Sequence, residues 1–340
     1  MCYVLCYVKF SCKKWLYYLN YKNLKNNYME NRKNYDVIIL GAGPAGLTAQ
    51  LYALRYNLKA LTIGGIVGGL MTQSHKICNW PGEPAIGGNE LAQKILEQVK
   101  GMGGEVLLDE IESITKTDEG WVVNTRNKKS FTTKALVMAI GTNHNKLGLA
   151  EEASFVGKGL AYCATCDAMF FKGKVVAVVG GGNSATTSAL YLADICSKVY
   201  LIYRGDELKG EGIWQKEINE KDNIVRIKNT QVTELLGEPK LNKVILDKPF
   251  EGSTELVVDG IFVEIGVKPK SELFVSLGGE IDETGHIKVK ADQSTNLPGL
   301  WAAGDVTNGS NGFRQILTAC AEGAIASNSI FSWLKKNKSK

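Results

Sequence analysis

The chain predicts an α/β fold made of two Rossmann-like dinucleotide-binding domains, the second inserted into the first. Three observations predict it: a glycine-rich turn after a short apolar run at residue 41, a second such turn 139 positions later, and a late apolar run ending in Gly304-Asp305.

The first unit is Tyr35-Asp36-Val37-Ile38-Ile39-Leu40, then Gly41-Ala42-Gly43-Pro44-Ala45-Gly46, then a helical pattern through Leu47, Leu51 and Leu54. That is strand, tight turn, helix. The glycines allow the turn, let the backbone approach a pyrophosphate and let the helix pack on the strand, while the helix N-terminus offers amide donors to phosphates. The device returns as Val175-Val176-Ala177-Val178-Val179, then Gly180-Gly181-Gly182-Asn183-Ser184-Ala185, then a helix with Leu190 and Tyr191. A shift of 139 puts Gly41 on Gly180, Gly43 on Gly182, Gly46 on Ala185, Leu51 on Leu190, Tyr52 on Tyr191 and Ile63 on Ile202 without a gap. Two nucleotide-binding units explain this agreement better than glycine turns in a nucleotide-free α/β protein.

Residues about 20 past the glycine turn read the adenosine ribose. The first copy offers Gly64 and Gly65 there; the second offers Tyr203 and Arg204, with Lys209 shortly after. A guanidinium with an ammonium nearby suits a 2′-phosphate, so the second site is expected to prefer NADPH to NADH. The competing reading is a solvated loop, since Glu207 and Glu211 dilute the charge.

Between the copies, Trp121-Val122-Val123-Asn124-Thr125 alternates like a strand, and the apolar stretch 135–142 reads as a buried strand running into a turn. Residues 142–148 then read as a crossing between domains. After the second unit the stretch 259–266 is another buried strand, and Lys268-Pro269-Lys270 reads as the crossing back. Gly299-Leu300-Trp301-Ala302-Ala303 is a strand leading to Gly304-Asp305, whose carboxylate suits a sugar-like chain of hydroxyls, and a helix over 315–333 closes the sequence. The expected division is 29–144 with 271–340 as the first domain and 145–270 as the second. Both crossings, at 142–148 and 268–271, are expected hinges.

Cys163-Ala164-Thr165-Cys166-Asp167 is the only place where two cysteines stand three positions apart. Thiols at this spacing can close into a disulfide, and a helix N-terminus can favour one as the attacking thiolate. A carboxyl at Asp167, its pKa raised by burial, can move a proton to or from the leaving sulfur. Half a zinc site, completed by His75 and Cys78, and two ordinary core thiols are the other readings.

Composition sets the class. At 340 residues, 44% apolar and 22% charged, the chain is an ordinary globular one with room for two cores. Lys9, Lys13, Lys14, Lys22 and Lys25, with no acid among residues 1–28, account for the whole formal charge of +5, so the body is neutral and gives no electrostatic case for nucleic acid. The apolar run before Lys9 is far short of the roughly 20 residues that span a bilayer, and it lacks the order of charges of a secretory signal. Residues 1–28 are expected to be a flexible extension or a misread start with Met29 as the functional first residue. The eight cysteines lack a disulfide-framework pattern, which fits a reducing cytoplasm.

With both glycine turns, the Cys-Ala-Thr-Cys-Asp just before the second one and the late Gly-Asp, the chain resembles low-molecular-weight thioredoxin reductase over residues 35–333. Gly68, Gly69 and Thr72, and Asn79 in Asn79-Trp80-Pro81-Gly82, resemble that family's flavin-contacting loops. Gly141 and Thr142 resemble the end of its second FAD-contacting strand, while Gly304, Asp305, Arg314 and Gln315 resemble the residues that hold the ribityl chain and ring. The resemblance implies FAD in the discontinuous domain, NADPH in the inserted one, a homodimer, and thioredoxin or a thioredoxin-like protein as partner. It also implies a relay: hydride from NADPH to flavin N5, then electrons to the Cys163–Cys166 disulfide. Cys166 would face the flavin, Cys163 would attack the partner and Asp167 would serve as acid and base. The resemblance further implies that one domain rotates on the other, because a single flavin face cannot serve nicotinamide, dithiol and partner together.

Departures are visible too. The family segment His-Arg-Arg-Asp is Tyr203-Arg204-Gly205-Asp206 here, with Lys209 where another Arg stands. One missing guanidinium costs about 1–3 kcal/mol, tenfold to a hundredfold in NADPH affinity. The pattern resembles archaeal-type members, in which NADH or a reduced deazaflavin is an alternative donor. Leu70 replaces a usual Gln and Cys78 a usual Glu. A flavin dithiol oxidase and a zinc-stabilised nucleotide-binding module are the remaining alternatives.

Overall fold

The computed structural model describes residues 33–338. The expectations for residues 1–28 lie outside the described residues.

Strand β1 (Lys33–Leu40) runs into helix α1 (Pro44–Arg55), which returns the chain to β2 (Ala60–Gly64) parallel to β1, Val37 opposite Ala60. Helix α2 (Gly88–Gly101) leads to β3 (Glu105–Leu108) on the far edge. A meander of β4 (Ile111–Thr117) and β5 (Gly120–Thr125) then feeds β6 (Ser130–Met138). β6 pairs parallel with β1 along one edge from Phe131 to Met138, while its other edge pairs antiparallel with β5 over its first half and parallel with β17 (Leu300–Ala302) over its second. Strands covered on both faces need apolar residues at successive positions. Ile38, Ile39, Leu40, Leu136, Val137 and Met138 are accordingly all buried.

The late return of the chain is fixed by helix contact. The C-terminal helix (Ile316–Lys338) lies so close on α1 that a Cβ at Gly323 would stand 2.2 Å from the Ala45 carbonyl oxygen, and Ser327 Oγ donates to Ala49 O at 2.6 Å.

The second sheet is wholly parallel, in the order β11-β10-β9-β15-β8. It consists of β8 (Leu160–Ala161), β9 (Val175–Val179), β10 (Lys198–Ile202), β11 (Ile224–Ile227) and β15 (Gly260–Val263). Helix α3 (Ala164–Asp167) follows β8, and α4 (Asn183–Ala193) follows β9. Ala161 and Phe262 pack with these helices on one face. Leu160, Ile261 and Val263 pack on the other against an antiparallel sheet of β12 (Val232–Leu236), β13 (Lys243–Phe250) and β14 (Ser253–Val257). The fold is thus α/β with two Rossmann-like units, the second inserted between β6 and β17.

Both crossings run through one short ribbon. β7 (Thr142–His144) pairs antiparallel with β16 (Val267–Pro269), Lys268 opposite Asn143. The buried strand expected to run into a turn over 135–142 does so: it ends at Met138, and Gly141, at φ +64°, turns the chain out of the sheet. No helix among the described residues is long and apolar enough to cross a membrane.

Candidate active site

The first glycine turn is shaped by what surrounds it. A Cβ on Gly41, at φ +111°, would stand 2.1 Å from Ala139 O, and one on Gly46 would stand 1.8 Å from Gly41 O, so neither position admits a side chain. Gly43 differs: its φ and ψ of −77° and −175° are ordinary, and a Cβ there would meet no protein atom within 4 Å. Its open side lies at the N-terminus of α1, where Pro44 and Ala45 begin the helix, and this is where a pyrophosphate approaches the backbone most closely.

The remaining residues expected at the flavin gather here. Gly68 N donates to Ala42 O at 2.7 Å, Thr72 Oγ1 to Gly69 O at 2.8 Å, and Asn79 Nδ2 to Gln315 Oε1 at 2.9 Å, which joins two loops 236 residues apart. Arg314 is exposed, held by Gly312 O at 3.4 Å. Gly304, at φ +82°, sits on α1 with its Cβ position 2.8 Å from Ala45 Cβ. The Thr142 hydroxyl is buried and has no hydrogen-bond partner among the described residues. Burial pushes the Asp305 carboxyl up, an effect opposed by Arg314 and reinforced by Glu322. An open phosphate cradle, an unpartnered hydroxyl and a carboxyl suited to sugar hydroxyls fit a flavin dinucleotide.

Glu322 escapes sequence reasoning altogether. It lies on the C-terminal helix at 4% exposure and accepts from Gly304 N at 2.8 Å, Thr307 Oγ1 at 2.8 Å and Ser310 Oγ at 2.6 Å. Those three bonds fix the loop that carries Asp305.

The second turn repeats the first. Gly180, at φ +143°, would set a Cβ 2.1 Å from Glu264 O, while a Cβ on Gly182 would meet nothing within 4 Å. Asn183 opens α4 next to Ser184 and Ala185 but spends its side chain on Glu211, accepting from Glu211 N at 2.7 Å and donating to Oε1 at 3.0 Å. Arg204 and Lys209 are exposed beyond β10. Tyr203 lies in the core with Leu208 and Trp214.

Cys163 and Cys166 form a disulfide at the start of α3, where the chain leaves the carboxyl end of β8. The zinc reading is thereby overturned: both thiols are joined to each other, and His75 stacks on Tyr191 at 4.5 Å. Cys163 is buried and Cys166 exposed, and burial pushes the neighbouring Asp167 carboxyl up. The dithiol helix leans on the flavin-side loop, since Thr165 Oγ1 donates to Gln73 O just after Thr72. His144 on the ribbon meets Gln73 Oε1 at 2.8 Å, and Lys76 reaches Glu217 at 3.9 Å. Gln73 and His144 carried no motif that would have singled them out.

Two glycine cradles of one build and, between them along the chain, a Cys163–Cys166 disulfide at the end of β8 are the marks of a nucleotide-dependent disulfide oxidoreductase. Residues 35–323 match the family described as pyridine nucleotide-disulphide oxidoreductase. The chain is 38% identical over 309 residues to a thioredoxin reductase of Listeria innocua, covering 90% of this chain and 96% of that one. A crystal structure of Lactococcus lactis thioredoxin reductase in its FR conformation superposes with a TM-score of 0.84 at 35% identity, covering 89% of this chain and 99% of that one. The thioredoxin reductase of T. acidophilum gives the same TM-score at 33% identity, covering 89% and 100%. The chain belongs to the pyridine nucleotide-disulphide oxidoreductases and, within them, to the thioredoxin reductases. That family implies a flavin and a nicotinamide nucleotide.

Proposed function

We propose that the protein reduces the disulfide of thioredoxin or a thioredoxin-like protein, taking electrons from NADPH through FAD to Cys163–Cys166. FAD belongs to residues 29–144 and 271–340, NADPH to 145–270. The observation that carries the reading is the Cys163–Cys166 disulfide held against the flavin-side loop through Thr165 and Gln73. FAD, when bound, supplies the exchange of a hydride for an electron pair.

The chain's own residues do the rest. Two electrons entering the disulfide break the S–S bond, leaving one thiolate and, with a proton, one thiol. Asp167, kept protonated more readily by burial, is placed to give that proton and take it back. The Cys163 thiolate then attacks the partner disulfide to form a mixed disulfide and release one partner thiolate. Cys166 attacks Cys163 in turn, frees the second partner thiolate and restores the starting bond. Dithiol and nicotinamide reach the flavin alternately as residues 145–270 rotate about the β7–β16 ribbon, and the working assembly is a homodimer.

Replacing Cys163 or Cys166 by Ser is expected to abolish thioredoxin reduction while the protein stays yellow; wild-type activity in both single variants would end the proposal. One observation favours a second reading in which only the donor changes: Arg204 is the sole guanidinium beyond β10 at the adenosine end. Anaerobic flavin bleaching by NADPH, NADH or a reduced deazaflavin separates these. The paired open cradles at Gly43 and Gly182 speak against a dithiol oxidase, which needs only the first.

A further inference from the structure

The strand order gives the path of the dinucleotide across the second sheet. From β9 the chain goes to β10 on one side, and β15 lies on the other, so the crevice between β9 and β15 is the topological switch point. Open α/β sheets take their ligands there, at the carboxyl ends of the strands. The turn after β9 holds the pyrophosphate, and Arg204 and Lys209 beyond β10 draw the adenosine end to their side. The other half of the dinucleotide therefore crosses the end of β15.

Glu264 stands at that end. Its amide donates to Val179 O at 2.8 Å, and its carbonyl oxygen is the atom 2.1 Å from the Cβ position of Gly180, so its backbone forms one wall of the crevice. Strand alternation turns its side chain to the α4 face, as for Phe262, and Ser188 Oγ on α4 donates to Glu264 Oε1 at 2.9 Å. No cation pairs with this carboxyl among the described residues.

We infer that Glu264 reads the nicotinamide end of the dinucleotide, accepting a hydrogen bond from the carboxamide NH2 and favouring the cationic oxidised ring over the neutral reduced one. Ser188 is its positioning residue. The inference rests on the reading above that the second domain binds a nicotinamide nucleotide.

Burial pushes the Glu264 carboxyl up to about 7, against the pull of the Ser188 hydroxyl, so its charge is weakly held and responds to a cation placed beside it. The position also suits the redox sequence. β8 and β15 pair with Ala161 opposite Phe262, and two residues further the strands arrive at Cys163 and Glu264. Nicotinamide and dithiol thus leave adjacent strand ends on one edge, so a single rotation exchanges them at the flavin.

The test is calorimetric titration of FAD-loaded protein with NADP+, NADPH and 2′,5′-ADP, the last carrying only the adenosine half. Glu264→Ala is expected to weaken NADP+ about tenfold while leaving 2′,5′-ADP within about twofold. Glu264→Gln is expected to weaken NADP+ several-fold more than NADPH, with flavin absorbance unchanged in both variants. Equal losses for NADP+ and 2′,5′-ADP, or none for NADP+, would overturn the assignment while the wild type still binds all three and the donor reading stands. A wild type that binds none of them overturns the donor reading and this inference together.

Discussion

Gly43→Ala separates what the fold needs from what the cofactor needs. A methyl group there meets no protein atom within 4 Å, and the backbone angles of −77° and −175° suit alanine, so the apoprotein keeps its stability within about 0.5 kcal/mol. On the proposed placement of FAD, the methyl would meet the pyrophosphate and force it back from the amides at the N-terminus of α1. Losing one charge-assisted hydrogen bond costs about 1.5–3 kcal/mol, or roughly tenfold to a hundredfold in the FAD dissociation constant. Titrating stripped protein with FAD while following flavin fluorescence measures this, and a urea melt of the same apoprotein checks the fold. Gly182→Ala is the internal control: it has the same open surroundings and should keep FAD while losing the nicotinamide nucleotide. Gly46→Ala, aimed 1.8 Å from Gly41 O, should instead fail to fold well. A Gly43→Ala protein that binds FAD as tightly as the wild type would refute the placement of the pyrophosphate.

Glu322→Ala strips two buried donors, Gly304 N and Thr307 Oγ1, and the exposed Ser310 hydroxyl of their acceptor and should cost about 2–4 kcal/mol with loss of flavin retention, read by thermal melting with and without FAD. Glu264 binds its proton more tightly when folded, at about 7 against an ordinary 4.5, so its contribution is complete below pH 4.5 and lost as pH rises through 7. That loss amounts to about 3 kcal/mol; the stability gap between wild type and Glu264→Gln should move by this much between pH 4.5 and 8 in chemical denaturation, and parallel profiles would contradict it. Lys76→Ala removes a half-exposed ion pair to Glu217 and a cation–π contact to Trp214, so it should cost under about 1 kcal/mol; a larger loss would show a fixed interface between the two units.

The glycine turns were legible because they answer to local geometry: Gly41 and Gly180 take angles that other residues avoid, and their neighbours leave no room for a side chain. The spacing of Cys163 and Cys166 was visible in the sequence, but spacing alone left a zinc half-site and ordinary core thiols open, and the motifs around it singled out the redox pair. Tyr203 stands at a ribose reader's distance from the glycine turn, and its inward packing against Leu208 and Trp214 is a placement that spacing does not give. Glu322 was invisible for a different reason. An acid in a helix reads as a solvated face unless one knows that donors from residues 304–310 converge on it, and only tertiary structure supplies them. Pairing between the crossings at 142–144 and 267–269 was equally hidden, since nothing local marks segments that meet across more than a hundred residues.

That pairing has a mechanical consequence. Two independent tethers would let one body tumble, slide and tilt against the other, whereas tethers laced by a shared ladder, extended by Asn145 N to Gly266 O and Lys270 N to Gly141 O, behave as a single axle. The rotation proposed above would then be confined to twist about one line, with Gly141 at φ +64° and Gly266 at φ +95° at its two ends. Such an axle would make the swing repeatable and return the sulfurs to the same place in each cycle.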